Sequence, residues 1–433
     1  MYLKLKDKSF IKKRPDTYLF SPYKDGIRDS VEINKTALDI LDFCDGTNTI
    51  DYIIGKLKNK YNEKEEVVKV NVEEFLLPLI DSGLIDNSNQ PENNNFRSKM
   101  MRGSRKIFYP DIIIWEVTDF CPLNCKHCYL GNKSGNIFSK NDIDKVLEII
   151  DKSGVYQVQL TGGEALSHPN IDYIIENLVQ RGIIICVSTS GFILNDKILN
   201  SLLKLKSVYK SFVKVSLDGN ESTHNYIRQN EDSYKRALNF IKTLSEHGVE
   251  CQIGTTIVNQ TKDELENLTD IVKKNGASLI EFGLLSNQGN AKANNLTSFL
   301  NSEELFEFLQ ELNSKFTDDK FIVKVPIEKI TAMKNCGAGY KLVVVKANKD
   351  ISICPISEFS VGNIDNCSIE DIMLKCGDKF SKLDAPNEKL CGDCKNRIEC
   401  GGCTSRALIL KNTVEKCKWF ESQSEIFTAF FNA

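Results

Sequence analysis

The sequence predicts an α/β protein: a partial (β/α)6 barrel, with a winged-helix-like domain before it and a cysteine-rich domain after it. Three observations predict this. Between residues 107 and 320, apolar runs alternate six times with amphipathic stretches. The first 86 residues instead join short β-type runs to three capped helical patterns. Nine of the fifteen cysteines fall between Cys336 and Cys417.

In the first domain, residues 1–86, β-type runs at Ser9–Ile11, Thr17–Phe20 and Ser30–Ile33 precede the helices. Asn34 is placed to cap a helix with Ala37, Ile40 and Leu41 on one face. Thr49 starts a second pattern with Ile50, Ile53, Ile54 and Leu57, and a third runs from about Glu65 to Ser82 until Gly83 closes it. Strands with three short helices read as a winged-helix unit. Residues 87–106 are rich in Asn and lack apolar periodicity, so they read as a linker that few core contacts should cross.

In the second domain, residues 107–320, the apolar runs are Ile112–Val117, Tyr156–Leu160, Ile183–Val187, Phe212–Leu217, Cys251–Val258 and Leu279–Leu285. Helical patterns begin near Asn141, Asn170, Asp196, Asp232, Lys262 and Asn301. Repeated βα units imply parallel strands with helices outside, and chemistry at the C-terminal strand ends. The third domain, residues 321–433, is less periodic, with short strands expected near Lys341–Val345 and Ile351–Ile353.

The 433 residues carry a net charge of only −3, with charges interleaved in sign, so no global field favours nucleic acid or lipid. The N-terminus has no apolar segment with a small-residue cleavage site, and no run of eighteen apolar residues occurs. These features point to the cytoplasm, with no membrane and no nucleic-acid partner. In that compartment clustered thiols read as metal ligands or reactive groups rather than disulfides. Cys44, Cys186 and Cys251 sit in apolar segments and read as core. His168 and His224 read either as lining of the barrel mouth or as structural residues.

The stretch FCPLNCKHCYL puts Cys121, Cys125 and Cys128 straight after the first strand. Three thiolates on one loop hold three irons of a 4Fe–4S cube and leave one iron open. A zinc site short of a ligand is the other reading of the spacing alone. The Cys-x3-Cys-x2-Cys motif resembles the radical S-adenosylmethionine (SAM) superfamily, whose residue before the last Cys is usually aromatic; here it is His127. The resemblance continues in order at successive strand ends, through Gly162-Gly163-Glu164, then Ser188-Thr189-Ser190-Gly191, then Ser216-Leu217-Asp218-Gly219. Glycines there let backbone approach a ligand closely. The resemblance implies that Glu164 takes the methionine amine of SAM, that His127 packs on adenine, and that Ser188, Ser216 and Asp218 suit ribose hydroxyls. Arg228, in HNYIRQ, is then a candidate for the SAM carboxylate through its fork geometry. Ala165 stands where many relatives have proline. The implied chemistry is reductive cleavage of SAM to a 5′-deoxyadenosyl radical that abstracts hydrogen from an unactivated carbon.

The tail carries Cys336, Cys354, Cys391, Cys394, Cys400, Cys403 and Cys417, and Arg406 follows its CGGC stretch. Cys-x2-Cys pairs also occur in zinc sites. Seven cysteines in this order after such a barrel resemble the SPASM extension, which implies two auxiliary 4Fe–4S clusters, three in all. By that resemblance Cys391, Cys394, Cys400 and Cys417 hold one cluster, and Cys336, Cys354 and Cys403 hold the other. Its fourth ligand stays open between an unfilled iron and the spare Cys367 or Cys376, which also read as ordinary thiols.

The TYLFSP and VEIN strands, KTALDILDFCDG, TIDYII and the helix ending SGLI resemble the PqqD-like peptide-recognition element of ribosomal-peptide tailoring enzymes. A short sheet with an open edge can take an added peptide strand. A winged helix used for DNA or dimerisation is the other reading, and low basicity argues against DNA. Together these imply a radical SAM maturase that grips the leader of a precursor peptide and oxidatively modifies its core. A thioether is the first expectation and a carbon–carbon bridge the second, with electrons from a low-potential donor such as flavodoxin or ferredoxin. A protein-directed maturase of the sulfatase-activating type, which oxidises one Cys or Ser, and a non-catalytic iron–sulfur carrier are the alternatives.

Overall fold

The computed structural model describes residues 1–92, 100–131, 133–296, 302–325, 335–357, 359–400 and 402–431. Its first domain has strands β1 (Tyr2–Leu5), β2 (Phe10–Lys13), β3 (Tyr18–Ser21), β4 (Tyr23–Lys24), β5 (Ile27–Arg28), β6 (Val31–Ile33), β7 (Asp45–Thr49) and β8 (Ile85–Ser88). Its helices are α1 (Lys35–Leu41), α2 (Ile50–Tyr61) and α3 (Glu65–Asp81). The side chains of Asn34 and Thr49 cap α1 and α2 by accepting from the backbone N–H groups of Ala37 and Tyr52. Leu38, Ile40, Ile53, Leu57, Val72 and Leu76 then meet Leu3, Leu5, Ile11 and Phe20 in one core.

The linker reading of residues 87–106 needs correction. Residues 93–99 lie outside the described residues, but beyond them β9 (Met101–Gly103) pairs in parallel with β2, opposite Ile11–Lys13. The sheet order is β6-β3-β2-β9, so β6 is one edge. Nor is the domain loosely tethered. Lys12 Nζ donates to Asp111 Oδ1 at 2.7 Å and to the carbonyls of Pro110 and Tyr109 at 2.6 and 3.0 Å. That uses all three of its protons. Arg14 takes the other Asp111 oxygen at 2.7 Å, and Arg28 donates to the carbonyls of Gly182 and Arg181. Burial pushes Lys12 down to about 8, against the pull of Asp111.

The barrel strands are β10 (Ile112–Thr118), β11 (Gln157–Gly162), β12 (Ile184–Thr189), β13 (Phe212–Ser216), β14 (Cys251–Ile257), β15 (Leu279–Leu284) and β16 (Ile322–Lys324). They lie parallel in chain order. The helices between them are α4 (Lys140–Ser153), α5 (Ile171–Gln180), α6 (Asp196–Leu203), α7 (Glu221–Arg228), α8 (Ser233–Glu246), α9 (Lys262–Lys274), α10 (Gly289–Ala293) and α11 (Ser302–Phe316). The expected helix start at Asn301 lies outside the described residues.

The expected boundary at residue 320 cuts off β16, whose three residues are too few to read as a run. Beyond it, β17 (Leu342–Val345) joins the same sheet, parallel to β10 on its free side. Strands β18 (Asp350–Ser352) and β19 (Ser360–Asn363) extend it antiparallel. Helix α12 (Ile369–Ser381) and the short helices α13 (Glu388–Cys391), α14 (Arg397–Cys400), α15 (Thr404–Leu410), α16 (Lys418–Ser422) and α17 (Ser424–Phe431) complete the tail. Barrel and tail share one hydrophobic core, which runs from Trp115 and Val158 to Phe380, Trp419 and Phe427.

Candidate active site

The three-cysteine loop leaves the C-terminal end of β10 and is clamped from two sides. Asn290 of α10 donates its backbone N–H to the Cys128 carbonyl at 2.8 Å and its side-chain amide to the Cys125 carbonyl at 2.9 Å. Its neighbour Gly289 has φ +49°, and a Cβ there would stand 2.5 Å from the carbonyl oxygens of Cys128 and Tyr129. From the other side, Lys126 N–H donates to the carbonyl of Ile227, in the last turn of α7. Within the loop, Cys128 N–H donates to the Cys125 carbonyl, closing a tight turn. Tyr129 OH donates to Glu116 Oε1 at 3.1 Å, and burial pushes the Glu116 carboxyl up.

Gly162 and Gly163 pack closely on the backbone that leads into the cysteine loop. A Cβ on Gly163 would lie 2.2 Å from the Phe120 carbonyl oxygen, and one on Gly162 would lie 2.0 Å from that of Thr118. Both glycines let the end of β11 press against the backbone just before Cys121. Gly163 and Glu164 N–H groups donate to the Thr118 and Phe120 carbonyls at 2.7 and 2.8 Å. Glu164 is buried, with one oxygen accepting from Thr189 Oγ1 at 2.7 Å and the other from the Ser190 N–H at 2.8 Å. The Ser-Thr-Ser-Gly stretch therefore holds the Glu164 carboxylate in place. Ser188 accepts from Gln159 at 3.0 Å.

Asp218 and Arg228 come together, which the sequence did not indicate. Arg228 Nη2 is 2.6 Å from Asp218 Oδ2, and Nη1 donates to Cys125 Sγ at 3.7 Å. His127 Nε2 is 3.3 Å from the same Asp218 oxygen, and the Thr256 N–H donates to the other. Burial would raise Asp218, but Arg228 and His127 outweigh it and hold the carboxyl well below the usual carboxylate range. Two nitrogens of the Arg228 fork thus face an aspartate and a thiol of this chain, and Nε is left without a partner. His224 Nδ1 accepts from the Asp218 N–H, so its proton sits on Nε2, and burial pushes its pKa down to about 3. His168 bonds the Phe138 carbonyl and the Asn170 N–H. Both ring nitrogens of His168 are thereby satisfied, whereas His224 Nε2 is buried without a partner.

The tail cysteines sort into two neighbourhoods. Cys354 feels the charge of Cys403 and Cys336, while Cys391 feels Cys417 and Cys394. Cys376 is buried in α12 and donates to the Gly339 carbonyl, and Cys367 is exposed. Cys44, Cys186 and Cys251 are buried, in keeping with a core role. Among the described residues, no three His, Cys, Asp or Glu side chains converge as they would on one metal ion. A cube carries its thiols on separate irons, so they stand further apart. The donor set of the loop suits such a cube, and His127 Nδ1 is buried without a partner, as a group awaiting a ligand would be.

A cavity of about 470 Å³ joins the two halves of the site. Ser188, Ser216 and Thr256 line it from the strand ends, and Cys400, Cys403 and Arg406 from the tail. Lys214 and Glu281 form an ion pair on its wall, and the Lys214 chain crosses over Gly254, which has no side chain to block it. Sequence reasoning missed this pair and the Asn290 clamp. Lone charged or amide residues in strands and loops carry no spacing signal.

Residues 115–272 match the radical SAM superfamily, and residues 25–85 match coenzyme PQQ synthesis protein D (PqqD). The chain is 26% identical over 406 residues to the antilisterial bacteriocin subtilosin biosynthesis protein AlbA of Bacillus subtilis, covering 91% of this chain and 89% of that protein. It is 25% identical to the sporulation killing factor maturation protein SkfB of the same organism, covering 65% of this chain and 70% of that one. Its fold resembles Streptococcus suis SuiB, solved bound to precursor peptide SuiA, with a TM-score of 0.66 at 14% identity over 86% of this chain and 88% of that one.

Proposed function

We propose that this chain, a radical SAM enzyme with a PqqD-like region ahead of its barrel, oxidatively cross-links a ribosomally made precursor peptide. The expected bond is a thioether between a Cys sulfur and a peptide carbon. The cavity carries this reading. One space is lined both by the strand-end serines of the SAM side and by Cys400 and Cys403 of the tail. A peptide segment there would touch both.

Within this reading, Cys121, Cys125 and Cys128 hold the cluster that binds SAM, and Glu164 holds the SAM amine. The neighbourhoods of Cys336, Cys354 and Cys403 and of Cys391, Cys394 and Cys417 support two auxiliary clusters, and the resemblance assigns Cys400 to the second. When bound, the first cluster and SAM supply a 5′-deoxyadenosyl radical. The chain's part is to orient the peptide carbon, exclude water and fix the charges around the site. The leader adds as a strand along the β6 edge, where Val31 is 53% exposed. A low-potential flavodoxin or ferredoxin supplies electrons, and the setting is the cytoplasm. Among the described residues no helix is long and apolar enough to cross a membrane.

Coexpression with short Cys-containing precursors from adjacent reading frames tests the reading. Each thioether removes one C–H and one S–H hydrogen, so the peptide loses two hydrogens and one alkylatable thiol per event. A loss of two hydrogens with every thiol still alkylatable makes the product a carbon–carbon bridge. A hydrazide-reactive aldehyde in place of a cross-link assigns the sulfatase-type activity instead.

A further inference from the structure

We infer that Arg228 sets the reduction potential of the iron–sulfur centre on the Cys121–Cys128 loop, acting through the sulfur of Cys125, with Asp218 setting how much of its charge is felt there. The inference rests on the iron–sulfur reading of that loop.

The geometry is specific. Arg228 ends α7, and Gln229 turns the chain away in a left-handed conformation. The Lys126 bond to the Ile227 carbonyl fixes that helix end against the cysteine loop. Arg228 is 8% exposed and Asp218 is fully buried, so both charges act in a poorly screened medium. Nη1 donates to Cys125 Sγ at 3.7 Å, and Nη2 faces Asp218 Oδ2 at 2.6 Å. Only Nε is left without a partner. A guanidinium arranged in this way has its two terminal nitrogens turned to groups of this chain. It does reach one of the thiolates whose electron density rises when the centre is reduced.

A hydrogen bond to a ligand sulfur, with a positive charge behind it, favours the electron-rich reduced state and so raises the potential. Asp218 opposes this from the far side of the guanidinium. It is held there by the Thr256 N–H and by His127. Arg228 is thus a tuning residue. It makes the centre easier to reduce, and the aspartate limits by how much.

Four proteins test this as anaerobically reconstituted holoenzymes without SAM: wild type, Arg228→Gln, Asp218→Asn and the double variant. Iron content comes first. Absence of iron from wild type would fail the underlying reading, not this one. An EPR-monitored redox titration then follows the centre whose signal changes on adding SAM, with any other centres as internal references. Asp218→Asn is expected to raise the potential above wild type. The double variant should fall below wild type, and Arg228→Gln lowest of all, with the reference centres unmoved. Should Arg228→Gln fail to retain iron, the double variant still decides, since removing both buried charges leaves neither unpaired. An unchanged or raised potential on loss of Arg228 overturns the inference. So does a loss of SAM affinity with no shift in potential, which would return Arg228 to the cofactor carboxylate.

Discussion

Lys12 Nζ lies 2.7 Å from Asp111 Oδ1, and both side chains are buried, 99 residues apart in the chain. This pair joins the first domain to the foot of the barrel, just before β10. Asp111→Asn should cost about 3–5 kcal/mol, the usual consequence of stripping one partner from a buried ion pair. Burial would raise the Asp111 carboxyl, but Lys12 and Arg14 outweigh it and hold it below its ordinary range. A depressed carboxyl contributes stability above its unfolded pKa and loses it as pH falls through the lower folded value. Docking should therefore hold at neutral pH and weaken only below the ordinary carboxylate range, and Asp111→Asn should lack that acid transition. Hydrogen exchange at residues 12–14 and 109–111 measures both. Deleting residues 1–86 should likewise destabilise the barrel, since it strips Lys12 and Arg14 from Asp111.

This pair also marks what the sequence could not disclose. Lys12 sits in FIKKRPD, a stretch that reads as solvated surface, because nothing local shows a partner so far along the chain. The same blindness hid β9, three residues at the end of a polar stretch whose partner strand is Phe10–Lys13. By contrast, the caps at Asn34 and Thr49 and the three-cysteine loop depend on spacing within a few residues. They were legible for that reason. Asp218 and Arg228 were each picked out as motif residues, but their pairing arises from the tertiary fold and could not be read from either motif.

Glu164 provides a test of the SAM side. Its carboxylate accepts from Thr189, Ser190 and the Leu166 N–H. Glu164→Gln would set an amide donor against groups that themselves donate. One buried group left unsatisfied costs about 1–3 kcal/mol, so SAM affinity should fall by about 5-fold to 150-fold while iron content stays unchanged. Equilibrium dialysis with labelled SAM reads the affinity. Undiminished binding would remove Glu164 from the cofactor site.

The β6 edge is the expected leader site, and Val31 is exposed on it. Val31→Asp should leave the fold intact, because the residue packs against nothing in the core. It should weaken leader binding about tenfold or more, with uncoupled SAM cleavage unaffected. Fluorescence polarisation of a labelled leader measures the first and 5′-deoxyadenosine release the second. Equal leader affinity in both proteins would place the leader elsewhere.

The position of the first domain sets a length requirement on the peptide. Its contacts with the barrel fall at Asp111, Arg181 and Gly182, residues that precede β10 and β12. They therefore lie at the N-terminal ends of the strands. The cysteine loop, Glu164 and the cavity lie at the opposite, C-terminal ends. A peptide anchored on the first domain must cover at least the height of the barrel before its core reaches the cavity. Strand β10 has seven residues, which at about 3.3 Å each is roughly 23 Å. An extended chain covers at most about 3.6 Å per residue, so some seven residues are needed between the last leader contact and the first modified residue, and more if the path curves. Shortening this spacer stepwise should leave leader affinity unchanged while modification falls steeply below that length. Lengthening it should cost little, because the effective concentration of the tethered core declines only slowly with linker length. Mass spectrometry of a spacer series against one enzyme reads this directly. Efficient modification with a spacer of two or three residues would mean that the leader binds at the cavity end of the barrel and not on the first domain.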